Sequence, residues 1–348
     1  MSCISLKKLV TKSKYSSKAM QELSIRLNGV DTGLVGFNGE KIIYTITDDM
    51  TESLNIIKKN INNVIVSDVK EVILLDSLSS AVIEGARTTV DLVKQSFDSN
   101  VGTKNELMVI NSVKATCYAM NQTDINSNNI RTIWEILVKD VCENTSKVGN
   151  KYRSGEVVIA SDSKIVHTPC KSTDIDKYMQ LLFKYAESMD IVKSIIVHFY
   201  FVYVHPFCDG NGRLARLWNK INLCKINSNF MYIDISLSIK SSISEYYRTL
   251  TDSEYTLNGI IDITPFIEYM LDCLSESVCK ATTNKLNLND VDKYILNKIN
   301  ADGITTSKLF CDKYNKDKIY KSLSKLIDNK VLFRVKEGNR YRYFKYNR

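Results

Sequence analysis

Apolar residues recur at spacings of three and four over most of the chain, and this period predicts a mainly α protein. Asn128–Cys142 puts Ile130, Ile133, Trp134, Leu137 and Val141 on one face, and Asp174–Met189 does the same with Ile175, Tyr178, Leu182, Tyr185 and Met189. Val192–Val204 is apolar on most sides, which predicts the central buried helix. His198 inside it reads as a core histidine holding one hydrogen bond. Earlier in the chain the pattern predicts helices over Tyr15–Leu27, over Met50–Asn62 (Leu54, Ile57, Ile61) and over Val101–Met120 (Leu107, Ile110, Val113, Ala115). After Ile233–Tyr247 and Leu250 it predicts a last core helix from Thr264, where Pro265 suits a first turn and Phe266, Tyr269, Met270 and Cys273 face inward.

Two stretches break the period. Gly29–Thr47, with glycines and β-formers, reads as loop or hairpin. The run Lys151–Ile159, with Gly155, Val157, Val158 and Ile159, is followed by polar Ala160–Lys164 and by Ile165–His167. β-Branched runs around a polar turn predict a second hairpin, with His167 as one of its residues. Beyond Leu286 a separate module begins. Helices are expected over Val291–Ile299, Thr306–Tyr314 and Lys316–Asn329, the last with Ile319, Leu323, Leu326 and Ile327 on one face. A hairpin, Val331–Val335 and Arg340–Phe344, turns at Glu337-Gly338-Asn339. Three helices and a hairpin predict a winged helix-turn-helix over 287–348.

Composition narrows the class. With 348 residues and 44% hydrophobic content, the chain can bury a sizeable core and form two or three domains. The three prolines suit a helical protein. Nine scattered cysteines without a Cys-x-x-Cys pair, beside three histidines, speak against structural zinc and fit a reducing cytoplasm. The N-terminus lacks the apolar core of a signal peptide, and the longest apolar run is too short to span a bilayer, so no membrane partner is expected. The abundance of Asn, Lys and Ile points to an AT-rich bacterial genome. The net charge of +8 favours anionic partners. Part of it lies at Lys316, Lys318, Lys321, Lys325, Lys330, Arg334, Lys336, Arg340, Arg342 and Lys345. Such a surface suits a DNA backbone, and it equally suits a protein-interaction or dimerisation module with a solvated basic face.

The densest chemistry lies at His205-Pro-Phe-Cys-Asp-Gly-Asn-Gly-Arg-Leu-Ala-Arg216, between the apolar run and a helix expected over Leu214–Ile226. His205 can take a proton near neutral pH. Asp209 is a hard oxygen ligand of the kind Mg²⁺ takes beside phosphates. Gly210, Asn211 and Gly212 allow backbone conformations that aim successive N–H groups into one concavity, at a helix N-terminus that favours phosphate. Arg213 and Arg216 fall on neighbouring helical positions and can clamp oxyanions. A hairpin turn at Asp-Gly-Asn-Gly is disfavoured because no alternating pattern follows. A calcium loop is excluded because Arg213 stands where the third ligand belongs and no late Glu arrives. Upstream, Asp76–Val90 holds Leu75, Leu78, Val82 and Ile83 on one apolar face, with Ser80 and Glu84 stacked on another and Gly85 as a left-handed cap. From the pattern alone, Glu84 is a solvated carboxylate ahead of a helix end.

The twelve-residue stretch resembles the Fic family motif at every defined position: histidine, phenylalanine two on, an acidic residue, Gly-Asn-Gly-Arg, and a second arginine three on. Ser80-x-x-x-Glu84-Gly85 resembles that family's inhibitory motif, in the subclass whose inhibitory helix precedes the core. The resemblance covers roughly Asp76–Ser275. It implies a Fic-type helical core at 101–284 with a β-hairpin flap, preceded by an N-terminal helical region at 1–100 carrying the inhibitory helix at about 76–85. It implies transfer of AMP from ATP to a Ser, Thr or Tyr hydroxyl of a target protein, and of the enzyme itself. His205 would be the general base and Asp209 the Mg²⁺ ligand. Gly210, Asn211, Gly212, Arg213 and Arg216 would hold the phosphates. Phe207 would anchor the loop, and the flap (Gly155, Val157, Val158, Ile159) would hold the target. Glu84, helped by Ser80, would inhibit by pairing with Arg216. Tyr246 and Tyr247 resemble paired tyrosines that approach the nucleotide base, with ordinary aromatic packing the alternative. A kinase-like branch of the family has Lys where Gly212 stands, so Gly212 speaks against it. AMP removal with Glu84 activating water, a DNA-binding regulator with vestigial catalysis, and a homodimer are the other arrangements the sequence admits.

Overall fold

The computed structural model describes residues 3–64, 68–99, 102–122, 124–161, 164–283, 289–299, 303–310, 313–328, 332–337 and 340–345. It divides into two units, Met1–Ala281 and Thr282–Arg348.

The first unit opens with α1 (Leu6–Ser13), α2 (Ser17–Leu27), a hairpin of β1 (Val30–Val35) and β2 (Lys41–Tyr44), and α3 (Asp48–Asn60). Then come α4 (Val69–Ile83), α5 (Val90–Ser99), α6 (Lys104–Met120) and α7 (Ile130–Val138). A short hairpin follows, β3 (Ile159–Ser161) and β4 (Lys164–His167). After it run α8 (Ile175–Tyr185), α9 (Ile191–Val204), α10 (Asn211–Ile226), α11 (Ile235–Ser241) and α12 (Ile243–Ser253). β5 (Thr256–Leu257), β6 (Ile260–Asp262) and α13 (Thr264–Thr283) close the unit. β1, β2, β6 and β5 form one sheet in that order, with β2 and β6 parallel. Arg26 on α2 and Asp262 on β6 form a buried ion pair that ties the N-terminal helices to it.

The expected central helix is α9. Ile195 through Phe201 are buried without a break, and Asp190 caps its start by accepting from the Lys193 N–H. α9 and α10 pack against each other, so the loop between them is held by the core on both sides. Burying each large apolar side chain there contributes about 1.5–3 kcal/mol. The β1–β2 hairpin covers α9: Tyr200 donates to the Val35 carbonyl (2.9 Å), and Phe37 stacks on Tyr203 at 4.1 Å.

Two expectations about this unit need correction. The inhibitory-helix segment lies in a longer helix, Val69–Ile83, and its buried face differs from the apolar one expected. Ile83 of that face is buried but Leu75 is exposed, whereas Ser80 and Ala81 are buried: Ser80 because its hydroxyl and carbonyl accept from Arg216 of α10, Ala81 in an apolar cluster with Leu74 and Val109. The flap strands span only Ile159–Ser161 and Lys164–His167. Gly155, Val157 and Val158 lie outside them, because the preceding chain bonds to loops instead of a strand: Arg153 N–H donates to the Pro206 carbonyl, and Lys147 donates to the Glu156 carbonyl. α5, which no expectation covered, is carried by Val90, Val93 and Phe97 at helical spacing.

The second unit holds α14 (Asp290–Lys298), β7 (Ile304–Thr305), α15 (Thr306–Leu309), α16 (Lys316–Asp328), β8 (Leu332–Glu337) and β9 (Arg340–Lys345). Its sheet order is β7-β9-β8, all antiparallel. Ile295, Leu309, Ile319, Leu323, Leu326 and Leu332 make its own core. The second helix is shorter than the Thr306–Tyr314 expected, with Phe310 already extended. Cys311, Lys330, Val331 and the Gly338-Asn339 turn lie outside the described residues. Among the described residues no helix is long and apolar enough to cross a membrane.

Candidate active site

α9 stops at His205, whose φ of 51° is left-handed and ends the helical path. Its backbone N–H still reaches the Phe201 carbonyl, while its side-chain Nδ1 donates to the Val202 carbonyl at 3.3 Å. A carbonyl only accepts, so this bond places the proton on Nδ1 and leaves the Nε2 lone pair free. Burial first, then the nearby His167 and Arg153, hold the imidazole well below its ordinary value. His205 is therefore a neutral base at physiological pH.

Phe207 turns inward and stacks on Trp134 at 4.8 Å, an arrangement worth about 0.5–1.5 kcal/mol beyond burial. Trp134 Nε1 donates to the Asp209 carbonyl (2.8 Å). Asn211 closes the loop with its whole amide: Oδ1 accepts from the Phe207 N–H and Nδ2 donates to the Phe207 carbonyl. Its side chain braces the loop and faces no open space. What remains for an anion is backbone. Gly210, at φ 77°, turns the chain into α10, whose first N–H groups lack intrahelical acceptors.

Asp209 accepts from the Gly210 N–H (2.5 Å) through Oδ1 and from the Glu143 N–H (3.1 Å) through Oδ2, and stays partly exposed. Arg213 lies beside it at 3.5 Å and donates to the Leu137 carbonyl; burial lowers its guanidinium from the usual range. Arg213 Nε and Arg216 Nη1 are buried without a partner among the described residues. Two guanidinium N–H groups short of acceptors beside a helix N-terminus suit a polyanion.

An anion of the protein already stands there. Arg216 donates through Nε to the Ser80 hydroxyl (2.8 Å) and through Nη2 to the Ser80 carbonyl (2.9 Å) and Glu84 Oε1 (2.8 Å). Burial is the largest single influence and lowers the Arg216 guanidinium, but the Glu84 charge and hydrogen bond, with Tyr246 and Tyr247, together outweigh it and raise it. Glu84 Oε1 lies so close over Gly212 that a side chain at 212 would clash with it. Gly85 ends α4 at φ 90°, with its N–H on the Val82 carbonyl and the Ala86 N–H on the Ala81 carbonyl, which is a Schellman cap. Tyr247 adds a bond from its hydroxyl to the Ile83 carbonyl (3.2 Å).

The sequence-predicted residues do not all meet. His205, Asp209, Gly210, Gly212, Arg213, Arg216, Ser80 and Glu84 converge. Tyr246 is buried among Phe266, Tyr269 and His198, and its hydroxyl bonds His198 Nε2 at 2.8 Å, so it follows the packing alternative. Tyr247 is 45% exposed and sits by α4. Sequence reasoning missed Arg153 and His167, which contact the His205 turn, and Glu254, which pairs with His167; these contacts join segments distant in sequence. Among the described residues no group of three or more His, Cys, Asp or Glu side chains could hold a metal by itself. Asp209 offers one carboxylate, which fits an ion bound mainly through phosphate and water.

Residues 124–223 match the Fic/DOC family profile, and the match includes the whole of the His205–Arg216 loop. This region is similar to a Fic domain. The chain is 25% identical over 225 residues to a protein adenylyltransferase Fic of Nematostella vectensis, covering 60% of this chain and 49% of that one. It is 27% identical over 168 residues to one of Drosophila willistoni, covering 44% and 30%. The chain thus spans half or less of the length of these curated relatives. A Fic family protein from Desulfovibrio desulfuricans G20 superposes with a TM-score of 0.60 at 23% identity, over 88% of this chain and 98% of that one. A Fic domain containing signalling protein from Bacteroides thetaiotaomicron superposes with a TM-score of 0.51 at 19% identity, over 68% and 96%. Both likenesses bear on the fold alone, a mainly helical one with a small sheet.

Proposed function

We propose that this chain transfers AMP from ATP to a Ser, Thr or Tyr hydroxyl of a protein, and that α4 holds it inactive. The observation that carries the reading is the pairing of a neutral His205 with a free Nε2 and an anion cradle in which Arg213 and Arg216 each keep one buried nitrogen without an acceptor among the described residues. The names of the curated relatives support AMP as the transferred group.

In this reaction the target oxygen forms a bond to the α-phosphorus. The bond from that phosphorus to the oxygen bridging to the β-phosphate breaks, and pyrophosphate leaves. His205 Nε2 takes the hydroxyl proton as the new bond forms. Arg213 and Arg216 orient the β- and γ-phosphates, and the N–H groups at the start of α10 hold the phosphates in line. Asp209 would hold Mg²⁺, which would there offset charge on the departing pyrophosphate. With Glu84 on Arg216, the clamp is occupied and the phosphates sit out of line. A misplacement of about 1 Å can cost roughly 10²-fold in rate.

Incubation with ATP labelled at the α- or the γ-phosphate tests this. Glu84→Gly should retain the α label on protein, itself included, and not the γ label. Adding His205→Ala should lower transfer by about 10²- to 10⁴-fold while ATP binding survives. Retention of the γ label would show phosphoryl transfer instead, and no transfer from Glu84→Gly would overturn the reading.

A further inference from the structure

The carbonyls around the turn that carries His205 are held from one place. At the end of α9 the Phe201 and Val202 carbonyls are satisfied by His205 itself. The next four accept from the flap and its stems. Tyr203 accepts from His167 Nε2 (2.7 Å), Val204 from the Cys170 thiol (3.5 Å), His205 from Arg153 Nε (3.0 Å) and Pro206 from the Arg153 N–H (2.9 Å). Arg153 is buried, and its guanidinium also donates to the Gly155 and Cys170 carbonyls. A helix end exposes carbonyls that need donors, and cations suit its negative pole. Arg153 and His167 meet both needs.

His167 is the more telling of the two. It is buried at the end of β4, and both ring nitrogens face acceptors: Nε2 the Tyr203 carbonyl, Nδ1 the Glu254 carboxylate at 2.6 Å. Glu254 caps the end of α12. A ring that donates from both nitrogens is an imidazolium, and Glu254 supplies its counter-charge. Its centroid lies 6.5 Å from that of His205. The charged and titratable groups around this pair are Glu254 from α12, Arg153 and Cys170 from the flap stems, and Tyr203 of α9.

We propose that His167, as an imidazolium paired with Glu254, is a positioning residue for His205: it caps the last turn of α9 and its charge adds to burial in leaving the His205 ring ready to accept a proton. The flap that receives the target and the base that deprotonates it then move as one piece. The proposal rests on His205 acting as the base, as argued above.

With three histidines in the chain, ring nitrogen NMR of the full-length protein can follow each one, assigned by single substitutions. At pH 7 His167 should show both nitrogens protonated. His167→Gln, whose amide can still donate to Tyr203, should raise the pH at which the His205 ring titrates by about one unit. In the Glu84→Gly background, the acid limb of the kcat profile should move up by the same amount, because the base fails below its own titration. KM for ATP should hold. Glu254→Gln, should His167→Gln not fold, should shift His205 in the same direction by returning His167 to neutrality. A neutral His167 ring at pH 7, or a His205 titration that neither variant moves, overturns the proposal even if AMP transfer is never seen. Absence of transfer with the NMR shift intact would count against the functional reading alone.

Discussion

At the residue scale, Arg216 serves two anions that cannot both have it. Glu84 takes it in this structure, and the γ-phosphate needs it in the proposed reaction. Removing Glu84 frees the clamp, but removing Arg216 destroys clamp and lock together. Arg216→Ala should therefore remain inactive, and Glu84→Gly with Arg216→Ala should match Arg216→Ala. A double variant as active as Glu84→Gly, measured by α-label transfer at saturating ATP, would remove Arg216 from phosphate binding. This chemistry was legible in sequence because the motif is contiguous: His205, Asp209 and the two arginines fall within one loop and the helix after it. The place of the Asn211 side chain was not legible, because its type suits phosphate as well as it suits the Phe207 backbone, and only the folded loop puts it on the latter. His167 was illegible because its partners, Tyr203 and Glu254, lie 36 and 87 residues away.

At the scale of elements, α4 shows how period and burial can part. Ser80 lies off the apolar face expected from the period, yet it is buried, because a buried hydroxyl is tolerated where it has a partner, here Arg216. α9 and α8, buried by apolar contact, were legible for the opposite reason. The end of α4 depends on its Schellman cap. A Cβ at Gly85 would meet nothing within 4 Å, so the cost of Gly85→Ala comes from its φ of +90° alone, about 1–2 kcal/mol. That substitution should lower the denaturant midpoint of unfolding and raise basal AMP transfer together, since fraying the cap loosens Glu84. A lower midpoint with unchanged basal transfer would separate the cap from the inhibition.

At the scale of the whole molecule, the catalytic loop and its inhibitor belong to the first unit, and the second has its own core. Deleting 287–348 should thus leave transfer to a peptide by Glu84→Gly within about twofold, since neither the loop nor α4 draws on that core. On the second unit, Lys316, Lys318 and Lys321 of α16 and Arg334 of β8, stacked on Tyr341, are exposed. If they meet a DNA backbone, binding should weaken steeply between low and physiological salt. Salt-insensitive binding, or none, would favour a protein partner. The proposed inhibition by Glu84 has a further consequence. Glu84 and Arg216 are 132 residues apart on one chain, so the inhibitor is tethered to its target at a fixed effective concentration. Diluting the protein cannot dissociate it, and the resting rate per molecule should not depend on how much protein is present. Any signal that wakes the enzyme must act by prising α4 from α10, a first-order event whose threshold is set by the strength of that clasp.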